Sequence, residues 1–339
     1  MPRVLGIDPG TISLDICALE DGRVFIDRSI PTKDALADPA FLPALIDSVG
    51  PLDLVAGPSG YGLPLVGSQD LSERDVRLAC LAAPGESGGL GGLAAVMRAL
   101  ARARAPVVFT PGVIHLPSVP AYRKLNRIDM GTADKVCAVA LAIHDEAVHR
   151  DCAPEEVSFI LLELGGAFSA ALAIERGRIV DGLGGTSGPM GIQGAGALDG
   201  ETAFLAGAIS KATLFQGGVR DVPEADGRAA FIESALKAVA ALRVSAPLAS
   251  DVLLSGRMAT ASWVRDPLTA RLGRVRLAGG FAAVAKHAAQ GAALIAEGLA
   301  GGTSRHLVET LGVRDASGTV LDYLHIIDRA TAERRIGIA

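Results

Sequence analysis

The sequence has few aromatic residues, no long apolar run and no cluster of positive charge. Aromatic side chains make up 4% of the 339 residues, and the formal net charge is −5. Because no block of lysine and arginine stands out, we do not expect nucleic acid as a main partner. A membrane-spanning helix needs about 18 or more apolar residues in succession. The longest helical candidate, at 281–300, is interrupted by polar side chains, so we expect no membrane span.

Cysteine is also scarce, and its spacing does not suggest a metal site. Cys17, Cys80, Cys137 and Cys152 are widely separated, whereas cysteine metal sites use closely spaced pairs. Buried free thiols are the simplest interpretation and are typical of a reducing compartment. The first residues do not have the pattern of a secretory signal, so we expect a cytoplasmic protein.

The sequence contains an internal repeat. Residues 5–24 align without a gap on residues 160–179, 155 positions later, and Asp8 aligns with Glu163. Five aligned pairs are identical: Gly10 and Gly165, Ala18 and Ala173, Glu20 and Glu175, Gly22 and Gly177, and Arg23 and Arg178. A period of about half the chain indicates a duplicated domain rather than a solenoid. The two acidic residues at matching strand ends predict two loops that face one cleft.

Each half has the same predicted order of elements: three strands, a helix, a strand, a helix, a strand and a helix. This alternation predicts sheets with helices on both faces. Half of the residues are hydrophobic, enough for two cores, and we place the domains at 1–152 and 153–339. Thr132 is predicted to begin a helix, and further helices are expected near 34–49, 201–215, 225–244, 281–299 and 321–335.

The segment Asp8–Ser13 has the residues that a phosphate group needs from a loop. Gly10, Thr11 and Ser13 offer close backbone approach, N–H donors and hydroxyls. Asp8 cannot contact phosphate, but it could hold Mg²⁺ through water. An ordinary hairpin turn is the alternative.

Two other glycine-rich loops, at 57–62 and 85–92, leave a strand or enter a helix. Such loops can bind anions at a helix N-terminus, or they can be simple turns or a lid. Ser59 and Tyr61 in the first of these loops are candidate substrate contacts.

The order and spacing of four short segments resemble the actin, Hsp70 and sugar/acetate kinase superfamily. Gly6–Ser13 is similar to its first phosphate loop, Glu163–Ser169 to its second, Val252–Ala259 to its adenosine loop, and the helix after Asn126–Lys135 to its connecting helix. Over nearly its whole length the chain resembles an uncharacterised butyrate-kinase-like family. The resemblance implies an α/β fold of two duplicated actin-like (ribonuclease H-like) domains, each a mixed five-stranded sheet flanked by helices, around an interdomain cleft.

The resemblance also implies ATP and Mg²⁺ as cofactors. Asp8 and Glu163 would position Mg²⁺. The nucleotide would contact Gly10, Thr11 and Ser13, then Gly165, Gly166 and Ser169, and finally Ser255, Gly256 and Arg257. Acetate and butyrate kinases have histidine at the position of Glu163, asparagine at Asp8 and usually a second glycine at Arg257. Arg257 could stack on the base or reach a phosphate, or this loop could be non-functional.

Basic residues ahead of Thr132 are candidates for the acceptor side of the site. Arg123 and Arg127 could orient the acceptor and stabilise the charge of a transferring phosphoryl group. A solvated basic turn is the alternative. Asp134, or Asp129, is a candidate base for a hydroxyl acceptor, although the helix dipole also explains an acid in a first helical turn.

We therefore predict an ATP-dependent phosphotransferase for a small acceptor, and the resemblance favours a carboxylate. A non-catalytic nucleotide-binding switch or ligand-binding protein, and a nucleotide or phosphate hydrolase of the same fold, stay open as alternatives. The expected partners are the nucleotide and a small-molecule acceptor. An exposed face rich in alanine and glycine at 282–300 could support a homodimer.

Overall fold

Two sheets organise the computed structural model, which describes residues 2–86 and 91–338. The first contains β1 (Arg3–Pro9), β2 (Ser13–Glu20), β3 (Arg23–Pro31), β4 (Leu54–Pro58), β5 (Val66–Gly67) and β6 (Val107–Thr110). The second contains β7 (Phe159–Leu164), β8 (Ser169–Glu175), β9 (Arg178–Leu183), β10 (Asp251–Ser255) and β11 (Val275–Leu277). Part of the loop predicted at 85–92, residues 87–90, lies outside the described residues.

The strand orders are β3-β2-β1-β4-β6-β5 and β11-β10-β7-β8-β9. In each sheet the first strand runs antiparallel to the second and parallel to a later one, because β1 pairs with β2 and β4, and β7 pairs with β8 and β10. The prediction of two mixed α/β sheets is confirmed. The two-residue β5 gives the first sheet a sixth strand, one more than predicted.

The duplication extends to the details of the backbone. The second and third strands of each sheet are joined by two residues with positive φ, Asp21 and Gly22 (52° and 74°) in one copy and Arg176 and Gly177 (51° and 69°) in the other. Two positive φ angles are typical of the type I′ turn that closes a twisted hairpin. A β-bulge also follows Ala18 in one copy and Ala173 in the other. The repeat in the sequence is therefore a repeat in structure.

Helices flank both sheets. They are α1 (Thr32–Ala35), α2 (Phe41–Ser48), α3 (Glu73–Cys80), α4 (Gly91–Leu100), α5 (Ala121–Lys124), α6 (Ala133–Arg150), α7 (Gly200–Ala206), α8 (Glu224–Ser245), α9 (Ser262–Leu272), α10 (His287–Leu299), α11 (Arg305–Leu311) and α12 (Arg329–Ile336). None of the helices in the described residues is long and apolar enough to cross a bilayer.

Several helix predictions are corrected at their ends. The helices predicted from Thr132 and at 225–244 are confirmed as α6 and α8. The one predicted at 34–49 is split into α1 and α2, since Pro39 disfavours helical geometry at the residue before it. The one predicted at 201–215 ends at Ala206, because Gly207 adopts a φ of 69°. The predicted helices at 281–299 and 321–335 begin later, as α10 and α12.

Helix α10 belongs to the second half of the sequence but packs on the first sheet. It contacts β1, β4 and α6. A Cβ placed on Gly6 of β1 would lie 2.2 Å from the carbonyl oxygen of Ala289, and one placed on Gly291 would lie 1.7 Å from that of Cys137 in α6. Glycines at these contacts therefore allow the backbones to touch. The division at residue 152 stays a prediction, but by packing α10 belongs with the first sheet.

This packing also corrects the expectation of an exposed alanine- and glycine-rich face at 282–300. Every residue from Ala288 to Gly298 is buried, because small side chains are used here for close packing inside the chain. The face is not available to a second copy, and the homodimer stays a prediction without it.

The closest helix contact gives a test of this packing. Gly291→Ala should lower the free energy of unfolding by about 1–3 kcal/mol, because the new methyl group has to separate α10 from α6. Urea unfolding measures the change. Gly200→Ala is the matched control, since no atom lies within 4 Å of the position that its new methyl group would take, and a change of less than about 0.5 kcal/mol is expected. Equal stability of the two variants would contradict the tight contact.

Candidate active site

Loops at the carboxyl ends of parallel strands form one edge of each sheet. In the first sheet β1 and β4 are parallel, and in the second β7 and β10 are parallel, so each pair ends at the same edge. We name the first loop (Asp8–Ser13, after β1), the second loop (Glu163–Ser169, after β7) and the third loop (Ser255–Ala259, after β10).

The first and second loops have the same internal geometry. The Gly10 N–H donates to the Ser13 carbonyl at 2.9 Å, and the Gly165 N–H donates to the Phe168 carbonyl at 3.0 Å. Five N–H groups of these loops donate no hydrogen bond to any described residue: those of Thr11 and Ile12, and those of Gly166, Ala167 and Phe168. Unpaired loop N–H groups of this kind are available to an anion.

The three loops lie close to one another. A Cβ placed on Gly166 would lie 3.9 Å from Ile12 Cδ1 and 3.9 Å from Arg257 Cδ. The second loop is therefore next to both of the others. Arg257 is exposed, and its side chain forms no ion pair with the described residues, so its charge is available at this surface.

The predicted hydroxyls of the loops differ in their surroundings. Ser13 Oγ donates to Asp15 Oδ2 at 2.7 Å, whereas Ser169 Oγ is buried without a hydrogen-bond partner among the described residues. Thr11 is exposed. The first loop thus presents one free hydroxyl at its surface and uses the other to hold a carboxylate.

Two carboxylates lie side by side behind the first loop. Asp8 and Asp15 are directly opposite each other on antiparallel β1 and β2, so their side chains share one face. Burial, followed by the charge of Asp134, raises the pKa of Asp8 to about 7, against the opposing charges of Lys286 and Lys135. Asp15 was missed in the sequence because its equivalent in the second copy is Ala170, so the repeat gave no signal.

Lys135, in the first turn of α6, lies between two carboxylates. Its Nζ is 2.7 Å from Asp134 Oδ2 and 2.8 Å from Glu163 Oε2. Burial alone would lower the pKa of Lys135, but the two carboxylates outweigh it and raise the pKa above its usual range. Lys135 was not predicted as a site residue from the sequence, although it follows Asp134 directly. Glu163 therefore faces a lysine ammonium group, which leaves it less available to a metal ion.

A second lysine reaches the first loop from the start of α10. Lys286 Nζ is 2.8 Å from Asp15 Oδ2 and 3.4 Å from the Ser13 carbonyl oxygen. It would lie 2.8 Å from a Cβ placed on Gly10, so glycine keeps this approach open. No sequence signal connected residue 286 with residue 10, because only the packing of α10 brings them together.

The third loop contacts the second through its glycine. A Cβ placed on Gly256, which has a φ of 88°, would lie 2.7 Å from Glu163 Oε1. Ser255 Oγ lies 2.7 Å from His287 Nδ1, and burial lowers the pKa of His287 below its usual value. Ser255 is thus engaged with a neutral histidine rather than free for a ligand.

The predicted acceptor residues separate into two groups. Ser59 is fully buried and hydrogen-bonded to the Thr110 carbonyl, and Arg123 donates to the Val180 carbonyl at 2.7 Å; both are structural in this conformation. Tyr61 and Arg127 instead line a cavity of about 540 Å³ between the two halves.

A larger cavity, of about 720 Å³, lies at the other edge of the second sheet. Ser158 and Asp251, at the amino ends of β7 and β10, line it, and none of the predicted site residues does. We therefore place the candidate site at the loops despite the larger volume elsewhere. The described residues contain no group of three or more histidine, cysteine or acidic side chains able to hold a metal ion.

Comparison with solved structures shows that other proteins share this fold. Propionate kinase from Francisella tularensis subsp. tularensis SCHU S4 matches with a TM-score of 0.59 at 12% identity, over 86% of this chain and 99% of that chain. Acetate kinase from Entamoeba histolytica matches with a TM-score of 0.55 at 14% identity, over 80% and 86%. These likenesses show the fold alone, and the predicted actin-like fold with two mixed α/β sheets is confirmed.

The chain itself belongs to the family described as "Protein of unknown function (DUF1464)", which matches residues 6–326. No curated protein has a significantly similar sequence.

The Lys135 contacts give a test of the charge arrangement. Lys135→Met should lower the free energy of unfolding by about 2–4 kcal/mol, because it leaves two largely buried carboxylates without their cation. Adding Glu163→Gln should recover part of the loss, which urea unfolding of both variants measures. Lys237→Met is the control, since its ion pair with Glu233 is exposed and should contribute less than about 1 kcal/mol. Similar losses in Lys135→Met and Lys237→Met would contradict the buried role.

The raised pKa of Asp8 gives a test by pH. Between the ordinary value of 3.8 and about 7, the folded protein keeps a proton on Asp8 that the unfolded chain has lost. Stability due to this group is therefore present below pH 4 and is lost as the pH rises to about 7. Asp8→Asn removes this dependence, so the wild type should lose stability relative to the variant across that range in chelator-containing buffer. If the stabilities of the wild type and of Asp8→Asn changed equally with pH, the raised pKa of Asp8 would be contradicted.

Proposed function

We propose that the chain is an ATP-dependent phosphotransferase that acts on a small carboxylate, with Mg²⁺ as its metal cofactor. The observation that carries this proposal is the pair of matching loops with unpaired N–H groups beside the Asp8–Asp15 pair. The fold that the chain shares with acetate and propionate kinases also supports it. The buried free thiols of Cys17, Cys80 and Cys137 agree with a cytoplasmic location, which we propose as well.

The residues present fit a phosphate chain and a hydrated magnesium ion. The free N–H groups of both loops and the Lys286 ammonium can receive phosphate oxygens. Asp15 Oδ1 is buried without a hydrogen-bond partner among the described residues, directly across from Asp8. Magnesium usually binds one or two carboxylates and completes its shell with water and phosphate oxygens. We therefore propose Asp8 and Asp15 as the metal-facing pair, in place of Asp8 and Glu163.

A carboxylate acceptor agrees with the state of the candidate bases. When bound, ATP with Mg²⁺ would supply the terminal phosphoryl group: an acceptor oxygen forms the new P–O bond, the bond to the β-phosphate oxygen breaks, and ADP leaves. A carboxylate has no proton to lose in this step, whereas a hydroxyl requires a base. Lys135 outweighs burial and holds the pKa of Asp134 below its usual value, which makes Asp134 a weak base. Lys135 and Lys286 would reduce the repulsion between the two anionic reactants.

A nucleotide-binding switch without turnover is the second candidate. The ion pairs of Lys135 with Asp134 and Glu163 favour it, because a cation of the protein already neutralises the centre of the cleft. Such a protein would bind nucleotide and would not release ADP with any acceptor.

Calorimetric titration with ATP and Mg²⁺, followed by an ADP-release assay, tests the proposal. We expect the wild type to bind the nucleotide and to release ADP only when a carboxylate is present. Asp8→Asn should weaken magnesium-dependent binding by about tenfold, equal to about 1.4 kcal/mol. Arg104→Met, at a side chain that is 90% exposed, is the control and should match the wild type.

Each other result has a clear meaning. No ATP binding at millimolar concentration contradicts both candidates. Binding without ADP release favours the switch, and equal ADP release with and without an acceptor indicates a hydrolase.

A further inference from the structure

The cavity of about 540 Å³ between the two halves is lined by both charged and apolar side chains. Tyr61, Arg127, Asp129 and Lys211 are part of its lining. Five leucines also line it: Leu81, Leu125, Leu198, Leu214 and Leu324. Its walls come from both sequence halves, so a ligand here would touch both.

The cavity carries an excess of positive charge. Within the described residues, the Arg127 guanidinium and the Lys211 ammonium form no ion pair. The lining contains one carboxylate, that of Asp129, which is already used: its Oδ2 accepts the Thr186 N–H and hydroxyl, both at 2.8 Å. Both cations therefore line this space without a carboxylate of the described residues at ion-pair distance.

The Lys211 backbone N–H donates to Glu86 Oε1, whereas its ammonium group lies over an aromatic ring. Its Nζ lies 4.5 Å from the centre of the Tyr61 ring, a cation–π contact. Burial lowers the pKa of Lys211 below its usual value. An anion bound beside this ammonium would offset the cost of burying its charge, which favours binding.

The size of the cavity excludes a very small ligand as a good fit. Its volume of about 540 Å³ equals roughly 18 times the ~30 Å³ that one water molecule takes up in the liquid. Acetate, with four non-hydrogen atoms, would leave most of it to water. Leu125 and Leu198, at 49% and 39% exposure, extend the apolar lining to the surface, so a longer hydrocarbon body could continue outwards.

The cavity also adjoins the start of α6, where Lys135 pairs with Asp134 and Glu163. Ala133, the first residue of α6, donates its N–H to the Gly60 carbonyl at 2.8 Å, next to Tyr61. The Gly131 N–H donates to Asp129 Oδ1 at 3.3 Å. The start of α6, which carries Asp134 and Lys135, is thus attached directly to the wall of the cavity.

We propose that this cavity binds a carboxylate with a sizeable aliphatic body, with its head at Arg127 and Lys211 and its body against the leucines. That this ligand is the phosphoryl acceptor rests on the proposed function. That the cavity binds it does not.

Calorimetric titration without nucleotide tests the binding. The probes are sodium acetate, butyrate and hexanoate, with hexylamine as the cation of equal length. Affinity should rise about fourfold for each added methylene that is buried, and hexylamine should not bind. Arg127→Met and Lys211→Met should each weaken hexanoate at least tenfold. Arg102→Met, at an exposed arginine, should leave hexanoate binding unchanged.

Three outcomes would overturn the inference: equal affinity for acetate and hexanoate, equal binding of hexylamine, or full hexanoate affinity in both cavity variants. Circular dichroism would check that the variants are folded, and the hexylamine comparison needs no variant. Hexanoate binding without any ATP binding would contradict the proposed phosphotransferase activity and support the carboxylate site in the cavity. ATP-dependent ADP release with acetate, without any hexanoate binding, would keep the proposed function and contradict the carboxylate site in this cavity.

Discussion

The Lys135 ammonium between Asp134 and Glu163, at 2.7 and 2.8 Å, is the contact on which the arrangement of the cleft depends. It joins the start of α6, in the first half, to the end of β7, in the second. Neither carboxylate is more than about a quarter exposed, so a cation is needed if both are to stay charged. The contact therefore fixes the two halves relative to each other at the place where the loops meet.

The remaining charges of the cleft follow from this contact. Four carboxylates, on Asp8, Asp15, Asp134 and Glu163, face two ammonium groups, on Lys135 and Lys286. Lys135 is occupied by two of the acids and Lys286 by a third. Burial, followed by the charge of Asp134, raises the pKa of Asp8 to about 7, and none of the ion pairs among the described residues includes Asp8. A metal ion with its phosphates would supply the missing positive charge on the first-loop side.

How far the sequence predicts this molecule depends on whether a feature is local. The hairpins and both glycine loops are local, and the repeat predicted them in both copies. Lys286 and the cavity depend on α10 and the second-half loops returning to the first sheet, which no short pattern reports. Ser59 and Arg123 had suitable chemistry, but their hydrogen bonds to Thr110 and Val180 depend on tertiary packing that composition does not reveal.

The duplication makes the backbone of the two sides of the cleft similar, whereas residue differences between the copies make their charges unlike. At the position of Asp15 the second copy has Ala170, and at the position of Asp8 it has Glu163, which Lys135 neutralises. The first loop therefore keeps a pair of carboxylates, while the second offers only N–H groups beside the free charge of Arg257. If a nucleotide binds between these unlike loops as proposed, its metal would lie at the first loop. The chain's own charges, rather than its symmetric backbone, would then decide which end of the nucleotide meets the start of α6 and the cavity beside it.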